Sequence, residues 1–564
     1  MDATVIQTIE LRRMLDDGGE IALLDMREEG VFARDGHILL SSNVPLSHLE
    51  MRVSALLPRK SVRIVLCDGG LPSGPSAGDG VPPFGPSVGQ QGPKSKRELM
   101  HGESLASTAA SRLVELGYTN VKRLEGGTPA WAVAGHRLYT GVYVPSKAFG
   151  EYILHQDQPP EVTANELYAW KNDGRDLVIL DSRPLDEYRR NSIPGAIDCP
   201  SAELVYRAHD LLRSTDATVV VNCGGRTRSI IGAQALINSG LRNPVYALKD
   251  GTQGWHLAGY TLDHGRTDQA PMPSAAGAAR ARDDAVRVAQ RFGVRSMSAA
   301  QLKTLQQDSA RTVYLIDVRS PEEFSAGHAP GSQSVPGGQL IQATDVYLAV
   351  RHAAVVLIDD NGARATMTAA WLAQMGWHDV FVLEKALERE DLVRGPAPAD
   401  VPGLSGIQVT RITAATLHDL LERGDVQVAD LANSLRYSEG HIPGAWHVVR
   451  SRLPENLAAI PNLKRLVFTA PDDETLAKFA AKDAMRLTPA PVEVLQGGTT
   501  AWTAEGYPLE RGTARLTGRD DDIKYKALDR KADVEAAIRE YLEWEIDLVN
   551  ATASDPDFGF RRFG

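Results

Sequence analysis

The sequence predicts an α/β protein of four tandem units, each a parallel sheet covered by helices, followed by a helical tail. A strand that ends in aspartate recurs along the 564 residues, at Asp25, Asp181, Asp317 and Asp430. A second apolar strand follows each of these, and helices alternate with the strands, which is typical of parallel sheets. A block of glycines and a tryptophan closes three of the units. Together these observations indicate one fold repeated four times.

The repeats set the boundaries of the predicted units. These units span residues 1–140, 155–268, 292–395 and 405–512, and the tail spans 513–564. The closing block reads GGTPAW, DGTQGW and GGTTAW in the first, second and fourth units. In the third unit it decays to VLEKALERE, without the glycines or the tryptophan. Self-similarity in a constant order is the signature of tandem repeats.

Within a unit, the local signals follow one order, which the second unit illustrates. Thr163 and Glu166 fit a capping box that starts the first helix. A strand ending in aspartate, a turn, a second buried strand, a loop and another helix follow. That helix ends at Gly240, as a glycine C-cap requires. The order predicts strands joined by helical crossovers.

Several segments lie outside the repeated elements. Residues 71–103 of the first unit are rich in Gly, Pro and Ser, a composition that predicts a mobile surface loop. Residues 141–160 and 265–297 are linkers, and the second linker contains a helical stretch near 276–291. In the tail, residues 531–550 predict an amphipathic helix packed back on a neighbouring unit. A partner-binding tail is the alternative.

Composition excludes several classes of protein. The net charge of −11 argues against nucleic acid or an anionic membrane as the main partner. Three cysteines are too few for a disulfide scaffold. No signal peptide or membrane-length apolar run is evident, so we expect a cytoplasmic protein. No Walker loop, dinucleotide fingerprint or Cys/His cluster of zinc spacing is present, so we expect neither a metal nor an organic cofactor.

Cys223 stands at the end of an apolar strand in the stretch TVVVNCGGRTRSII. A thiol at a strand-to-helix turn faces backbone N–H groups and the positive end of a helix dipole. Arg226 and Arg228 add two positive charges close by. All of these favour the thiolate, which is the nucleophilic form. Cys223 is therefore the candidate nucleophile, and an inert cysteine at a strand end is the alternative.

With these motifs in place, the chain resembles the rhodanese family of sulfurtransferases. The features that carry the resemblance are the Asp–x–Arg strand end, the GHIPGA turn at 440–445, the Cys-headed loop and the Gly-Gly…Ala-Trp block. The resemblance implies a rhodanese fold and sulfane-sulfur transfer through a cysteine persulfide. The family's catalytic cysteine corresponds to Cys223, and its anion-binding loop to Gly224, Gly225, Arg226, Thr227 and Arg228. The second unit departs from the family turn, with Asn191-Ser192 in place of Gly-His.

The other units predict which copies are active. By alignment of the strands, Asp68, Asp360 and Ala470 take the position of Cys223. A carboxylate cannot carry a persulfide, and it repels an anionic sulfur donor. We therefore predict one active unit and three catalytically silent ones.

Four further residues receive predictions from their place in the repeats. Asp181 and Arg183 are expected to support the site as a pair that holds a strand end to a loop. Cys67 stands one residue before the position of Cys223, where the pleat turns it away from the loop. An alignment shifted by one residue would make Cys67 a second thiol. Cys199 is predicted to pack in the core, and a resolving thiol is the alternative.

Lys147 and Glu151 lie in the linker that precedes the second unit. We expect them on the surface of the linker. The alternative is that they reach the pocket around the candidate cysteine, because the linker immediately precedes that unit.

The resemblance implies that the Cys223 thiolate takes sulfur from an anionic donor such as thiosulfate. A thiol such as glutathione, a protein cysteine, or cyanide then accepts it. Two arginines suit dianionic thiosulfate better than 3-mercaptopyruvate. A non-turnover persulfide carrier or sulfur-relay scaffold is the alternative. A phosphatase of similar fold is disfavoured, because its loop carries Arg six positions after the cysteine, where this chain has Ser229.

Overall fold

The computed structural model describes residues 3–70, 104–397, 400–530 and 532–563. These form four mainly parallel sheets with helices around them, and a carboxyl-terminal helix, as the sequence predicts. The segment 71–103, predicted to be a mobile loop, lies outside the described residues. None of the described helices is both long and apolar enough to cross a bilayer.

The first unit alternates short strands with helices. Its elements are β1 (Thr4–Ile6), α1 (Thr8–Asp16), β2 (Ile21–Asp25), α2 (Glu29–Asp35), β3 (Ser42–Asn43), α3 (Leu49–Leu56), β4 (Arg63–Cys67), α4 (Leu105–Glu115), β5 (Val121–Leu124) and α5 (Gly127–Val133). A linker helix, α6 (Val144–Asp157), leads to the second unit.

The second unit repeats the order of the first. Its elements are β6 (Glu161–Val162), α7 (Ala164–Asn172), β7 (Leu177–Asp181), α8 (Leu185–Arg190), β8 (Ile197–Asp198), α9 (Glu203–Leu211), β9 (Thr218–Asn222), α10 (Thr227–Asn238), β10 (Val245–Leu248) and α11 (Gly251–Leu257). The predicted capping box at Thr163 is present. The linker that follows contains the predicted helix, α12 (Ala275–Phe292).

In the third unit, no closing helix follows the last strand among the described residues up to 397, in keeping with its decayed block. Its elements are β11 (Arg295–Met297), α13 (Ala299–Gln307), β12 (Val313–Asp317), α14 (Pro321–Ala326), β13 (Gln333–Ser334), α15 (Gly337–Gln342), α16 (Thr344–Tyr347), β14 (Val350–Arg351), β15 (Ala354–Ile358), α17 (Ala363–Gln374) and β16 (Val380–Leu383). Strand β14 pairs antiparallel with β2, so the third unit extends the sheet of the first.

The fourth unit and the tail complete the described chain. Their elements are β17 (Thr410–Ile412), α18 (Ala414–Arg423), β18 (Gln427–Asp430), α19 (Ser434–Glu439), β19 (Trp446–His447), α20 (Leu453–Ala459), β20 (Leu466–Thr469), α21 (Thr475–Ala484), β21 (Val492–Leu495), α22 (Gly498–Ala504) and α23 (Val534–Ser554). Helix α23 packs against α6, and the aromatic residues after it pack against Tyr139 and Phe149. The tail therefore folds back on the repeats, as predicted.

The sheets place equivalent strand ends side by side. In the second unit the strand order is β6-β10-β9-β7-β8, and the other units have equivalent orders. Strand β9 is buried along its whole length, because Val219, Val220 and Val221 face helices on both sides of the sheet. Ligand sites of parallel sheets form at the carboxyl ends of the strands. Cys223 follows directly after β9 at this edge.

The strand register corrects one assignment made from the sequence. Asp181 pairs with Asn222, the residue before Cys223. The equivalent pairs in the other units are Asp25–Cys67, Asp317–Ile358 and Asp430–Thr469. The counterpart of Cys223 in the third unit is therefore Asp359, and the assignment of Asp360 is wrong by one residue. Two adjacent aspartates follow that strand, and only the backbone pairing distinguishes them.

Candidate active site

The loop from Cys223 to Thr227 joins the central strand β9 to helix α10. Cys223 is 2% exposed, and its thiol donates to Ser229 Oγ at 3.6 Å. The Ser229 hydroxyl in turn donates to the carbonyl oxygen of Arg226 at 2.8 Å. The carbonyl oxygen of Cys223 accepts a hydrogen bond from the Thr252 N–H at 2.8 Å. The candidate nucleophile is thus held in a defined position.

The Asp-Gly pair after β10 explains why the closing block contains glycine. A Cβ at Gly251 would lie 2.2 Å from the carbonyl oxygen of Cys223, and this residue has a φ of +55°. Only glycine allows the two backbones to approach so closely. The preceding residue, Asp250, also has a positive φ of 60°, at a place where the first unit has Gly126. Asp250 thereby places a carboxylate next to the loop that begins at Cys223.

Backbone N–H groups are available in the cysteine loop. Those of Gly224, Gly225 and Arg226 donate to no acceptor among the residues that the structure describes. Helix α10 begins at Thr227, so the positive end of its dipole is at the same place. This arrangement suits a negatively charged sulfur group next to Cys223.

Arg226 is buried and bound by two carboxylates. Its Nε and Nη2 donate to Glu151 of α6 at 2.6 and 3.0 Å. Its Nη1 donates to Asp250 Oδ1 at 3.0 Å. Burial raises the pKa of the Glu151 carboxyl, and the nearby guanidinium opposes that shift. The predicted partner of the donor is therefore already paired within the protein.

Arg228 is also paired, but only in part. Its Nη2 donates to Glu187 Oε2 at 2.7 Å. Its Nη1 is buried and has no hydrogen-bond partner in the described part of the chain. Burial alone would raise the pKa of the Glu187 carboxyl, but the positive charges of Arg228 and Lys526 lower it. Nη1 of Arg228 thus remains available for a further hydrogen bond.

Side chains from the linker and the tail cover the cysteine loop. Glu545 of α23 is fully buried, and its Oε1 accepts hydrogen bonds from the N–H of Thr227, at 3.3 Å, and from the Thr227 hydroxyl. Lys147 Nζ donates to the Tyr541 hydroxyl at 2.6 Å and lies 3.4 Å from Glu545 Oε1. A Cβ at Gly225 would lie 3.1 Å from Tyr541 Cε1. Three separate parts of the chain therefore form the site.

The sequence did not lead us to predict that side chains of the linker and the tail cover the cysteine loop. The expectation that Lys147 and Glu151 lie on the linker surface is wrong, because both side chains contact the loop or its cover. Glu545 was not singled out, although it leaves a signal. It interrupts the apolar stripe that Leu542 and Leu548 form on one face of an amphipathic helix. A glutamate at such a place is expected to have a buried partner.

Asp181 and Arg183 form the pair that the repeats suggest. Arg183 Nε and Nη2 donate to the two oxygens of Asp181 at 2.8 and 2.7 Å. Asn222 Nδ2 donates to Asp181 Oδ2 at 2.9 Å, which joins the pair to β9. Arg183 also donates to the side chain of Asn191 at 3.0 Å. The departure from Gly-His at this turn thus supplies another acceptor and leaves the pair intact.

The other two cysteines lie in hydrophobic cores. Cys199 and Cys67 are both fully buried and free of disulfides. Burial raises the pKa of both thiols, and the negative charge of Asp25 adds to the effect at Cys67. Neither environment favours a thiolate.

Two of the other units fill their loops with a carboxylate of their own. Asp68 accepts hydrogen bonds from the N–H groups of Gly70 and Ala106, both at 2.9 Å. Asp359 accepts from those of Gly362 and Ala365 at 2.6 and 3.1 Å. Each aspartate thus binds an N–H group in the first turn of the helix that follows it. In these loops a carboxyl side chain stands where the second unit has a thiol.

Comparisons with known proteins identify the family. A family model for the rhodanese-like domain matches residues 163–258, 298–389 and 413–505. The chain is 30% identical over 100 residues to the thiosulfate sulfurtransferase GlpE of Pseudomonas aeruginosa, which is 84% of that protein and 18% of this chain. The chain belongs to the rhodanese family. Its first unit lies outside the matched ranges but has the same core strand order.

The chain is also similar to a solved structure and to a second protein. The chain is 40% identical to a crystal structure described as thiosulfate sulfurtransferase from Pseudomonas aeruginosa, with a TM-score of 0.89 and 100% of both chains covered. It is also 34% identical over 104 residues, or 18% of its length, to an HTH-type transcriptional regulator of Mycobacterium tuberculosis. The matched part is 45% of that regulator, so the likeness covers less than half of the relative.

Proposed function

We propose that this rhodanese-family protein is a sulfurtransferase that carries sulfane sulfur as a persulfide on Cys223. One observation supports this most directly. Of the four equivalent positions after the central strands, only the second has a thiol, while the others have Asp68, Asp359 and Ala470. The thiosulfate sulfurtransferases among its relatives support the same class of reaction.

In the proposed reaction, the Cys223 thiolate attacks the outer sulfur of the donor. With thiosulfate, the S–S bond of the donor breaks, sulfite leaves with the bonding electron pair, and Cys223 holds the persulfide. The N–H groups of Gly224, Gly225 and Arg226 stabilise the terminal sulfur anion. A thiol or cyanide then attacks that sulfur and restores the thiolate. Each step conserves charge and needs no further oxidant.

Arg228 places a positive charge in the cysteine loop. Burial lowers the pKa of its guanidinium, but the negative charges of Glu187 and of the Cys223 thiolate raise it, with a net rise. The guanidinium therefore stays protonated beside the sulfur. A fixed positive charge at this place attracts an anionic sulfur donor.

A persulfide carrier without small-molecule turnover is the second candidate. Cys223 is buried, and Tyr541 and Glu545 cover the loop that follows it, which favours this candidate because a covered persulfide is protected from small thiols. In that case a partner protein would accept the sulfur.

The test is to incubate the purified protein with thiosulfate and analyse its peptides by mass spectrometry. We expect the Cys223 peptide to gain the mass of one sulfur atom and sulfite to be released. Repeated sulfite release with cyanide indicates an enzyme, and a single equivalent indicates a carrier. Cys223→Ala should abolish the modification, and Cys199→Ala should retain it. Full activity in Cys223→Ala would contradict the proposal.

A further inference from the structure

Glu545 presents an unusual charge next to the candidate nucleophile. The side chain is fully buried, and its Oε2 makes no hydrogen bond within the described residues. A Cβ at Gly225 in the cysteine loop would lie 3.4 Å from this oxygen. Burying a carboxylate with an unsatisfied oxygen costs free energy. Packing alone would be served better by an apolar residue at this place in the helix.

The silent units show what such a carboxylate does in this fold. Asp68 and Asp359 bind the N–H groups at the start of the helix that follows the loop. Glu545 binds the equivalent helix start, at Thr227, from 318 residues further along the chain. The second unit therefore keeps the helix-start carboxylate although its loop carries a thiol. The anion comes from the tail, which leaves the position after β9 free for sulfur chemistry.

The charges around the loop are already balanced before any donor binds. Arg226 pairs with Glu151 and Asp250, Arg228 pairs with Glu187, and Lys147 pairs with Glu545. Lys526 also pairs with Glu187, at 3.2 Å, so four carboxylates face four cations. Arg226 and Arg228, the predicted partners of the donor, are thus both paired with carboxylates, although the buried Nη1 of Arg228 lacks a hydrogen bond within the described residues. A second negative charge on the donor meets a buried carboxylate with little surplus positive charge to offset it.

We infer that Glu545 makes the Cys223 site select its donor by charge. The site therefore prefers singly charged sulfane donors to dianions. This inference rests on the proposed persulfide chemistry at Cys223. Glu545 acts through its field and its contact with Thr227, and it takes no part in bond making. It is a specificity-determining residue, and Lys147 is its counter-charge.

Two donors of similar size distinguish an effect of donor charge from an effect of how accessible Cys223 is. Thiosulfate carries two negative charges, and methanethiosulfonate carries one, because a methyl group replaces a charged oxygen. With either donor, the Cys223 thiolate attacks the sulfane sulfur and the donor S–S bond breaks. Sulfite leaves from thiosulfate, and methanesulfinate leaves from methanethiosulfonate. The same persulfide forms in both reactions, so the ratio of kcat/KM reports donor selection.

The decisive variant is Glu545→Gln, which removes the charge and keeps an acceptor for Thr227. We expect the kcat/KM ratio to move towards thiosulfate by about tenfold, mainly through the KM for thiosulfate. The matched control is Glu543→Gln, an exposed residue on the same helix, which should leave the ratio unchanged. Lys147→Gln removes the counter-charge and should move the ratio the other way, which keeps the test decisive if Glu545→Gln does not fold.

The possible results distinguish failure of the inference about Glu545 from failure of the proposed function. Persulfide formation with both donors but an unchanged ratio in Glu545→Gln would overturn the inference and leave the proposed function intact. An equal loss with both donors would also overturn it, because that is the behaviour of a purely structural residue. Failure of the unmodified protein to form a persulfide with either donor would overturn the proposed function itself.

Discussion

Asp198 lies buried on β8, beside Asp181 on the neighbouring strand. Its Oδ2 accepts a hydrogen bond from Gln269 at 3.2 Å, and its Oδ1 has no partner among the residues described. Burial, together with the negative charge of Asp181, raises the pKa of Asp198 to about 7. The equivalent residue in the first unit is Asn43, whose Nδ2 donates to the carbonyl oxygen of Arg27 at 2.8 Å. A neutral amide therefore suits this position.

Asp198→Asn should stabilise the protein at pH 8. A carboxyl whose pKa is raised in the folded state destabilises the protein as pH rises from about 4 to about 7. In this range the unfolded state releases the proton and the folded state retains it. Removing that cost should raise the free energy of unfolding by about 4 kcal/mol at pH 8 and by little at pH 4. Denaturant unfolding at the two pH values measures the difference.

The control for this prediction is Asp283→Asn, which makes the same charge change at an exposed position of α12. It should not alter the pH dependence. If Asp198→Asn raises the free energy of unfolding over that of the unmodified protein by no more at pH 8 than at pH 4, the buried carboxyl carries no such cost.

At the scale of elements, helix α23 and the cysteine loop depend on each other. The helix lies close to residue 225, where a Cβ would be 3.1 Å from Tyr541 Cε1, a tighter approach than side chains ordinarily make. Gly224 differs, because the nearest atom to a Cβ at that residue, Arg183 Cδ, is 3.9 Å away. Two adjacent glycines therefore have different structural roles.

Gly225→Ala should loosen helix α23, whereas Gly224→Ala should not. The added methyl group presses on Tyr541 and forces the helix to shift by a few tenths of an ångström or more. We expect faster hydrogen exchange over residues 534–554 in Gly225→Ala, with the rest of the chain unchanged. Equal exchange in the two variants would mean that the loop and the tail are not coupled.

At the scale of the whole molecule, the units share cores and buried charges. One hydrophobic core contains residues of the first three units, among them Leu66, Val221 and Leu357. Arg364 of α17 is fully buried and joins the second and third units. It donates to Glu203 at 2.9 Å, to Glu323 at 2.7 and 2.9 Å, and to Asp360 at 2.7 Å. Asp360 thus belongs to an ion-pair network between units.

Arg364→Ala should destabilise the protein strongly. The substitution leaves three carboxylates without their shared cation, and breaking a buried network of this kind costs about 3–5 kcal/mol. Arg389→Ala is the control, because Arg389 forms a solvent-exposed pair with Asp391, and its loss should cost less than about 1 kcal/mol. Thermal and denaturant unfolding of the two variants provide the comparison. Similar midpoints would contradict a structural role for the network.

Much of the fold and part of the site could be predicted from the chain alone. The strand-end aspartates, the β-branched strand before Cys223 and the glycines of the closing block are local signals, and the structure has strands and turns at each of them. The Asp181–Arg183 pair also involves near neighbours in sequence. The counterpart of Cys223 in the third unit could not be chosen between Asp359 and Asp360, because either fits the strand pattern.

The sequence by itself determined the repeated α/β units and the cysteine that distinguishes the second of them. These depend on residues that are close together in the chain. Only the tertiary structure decided which charges lie beside that cysteine. Glu545 contacts Thr227 across 318 residues, and Arg226 reaches Glu151 in another element. Electrostatic interaction depends on distance in space and on exclusion of water, and neither is encoded by spacing along the chain.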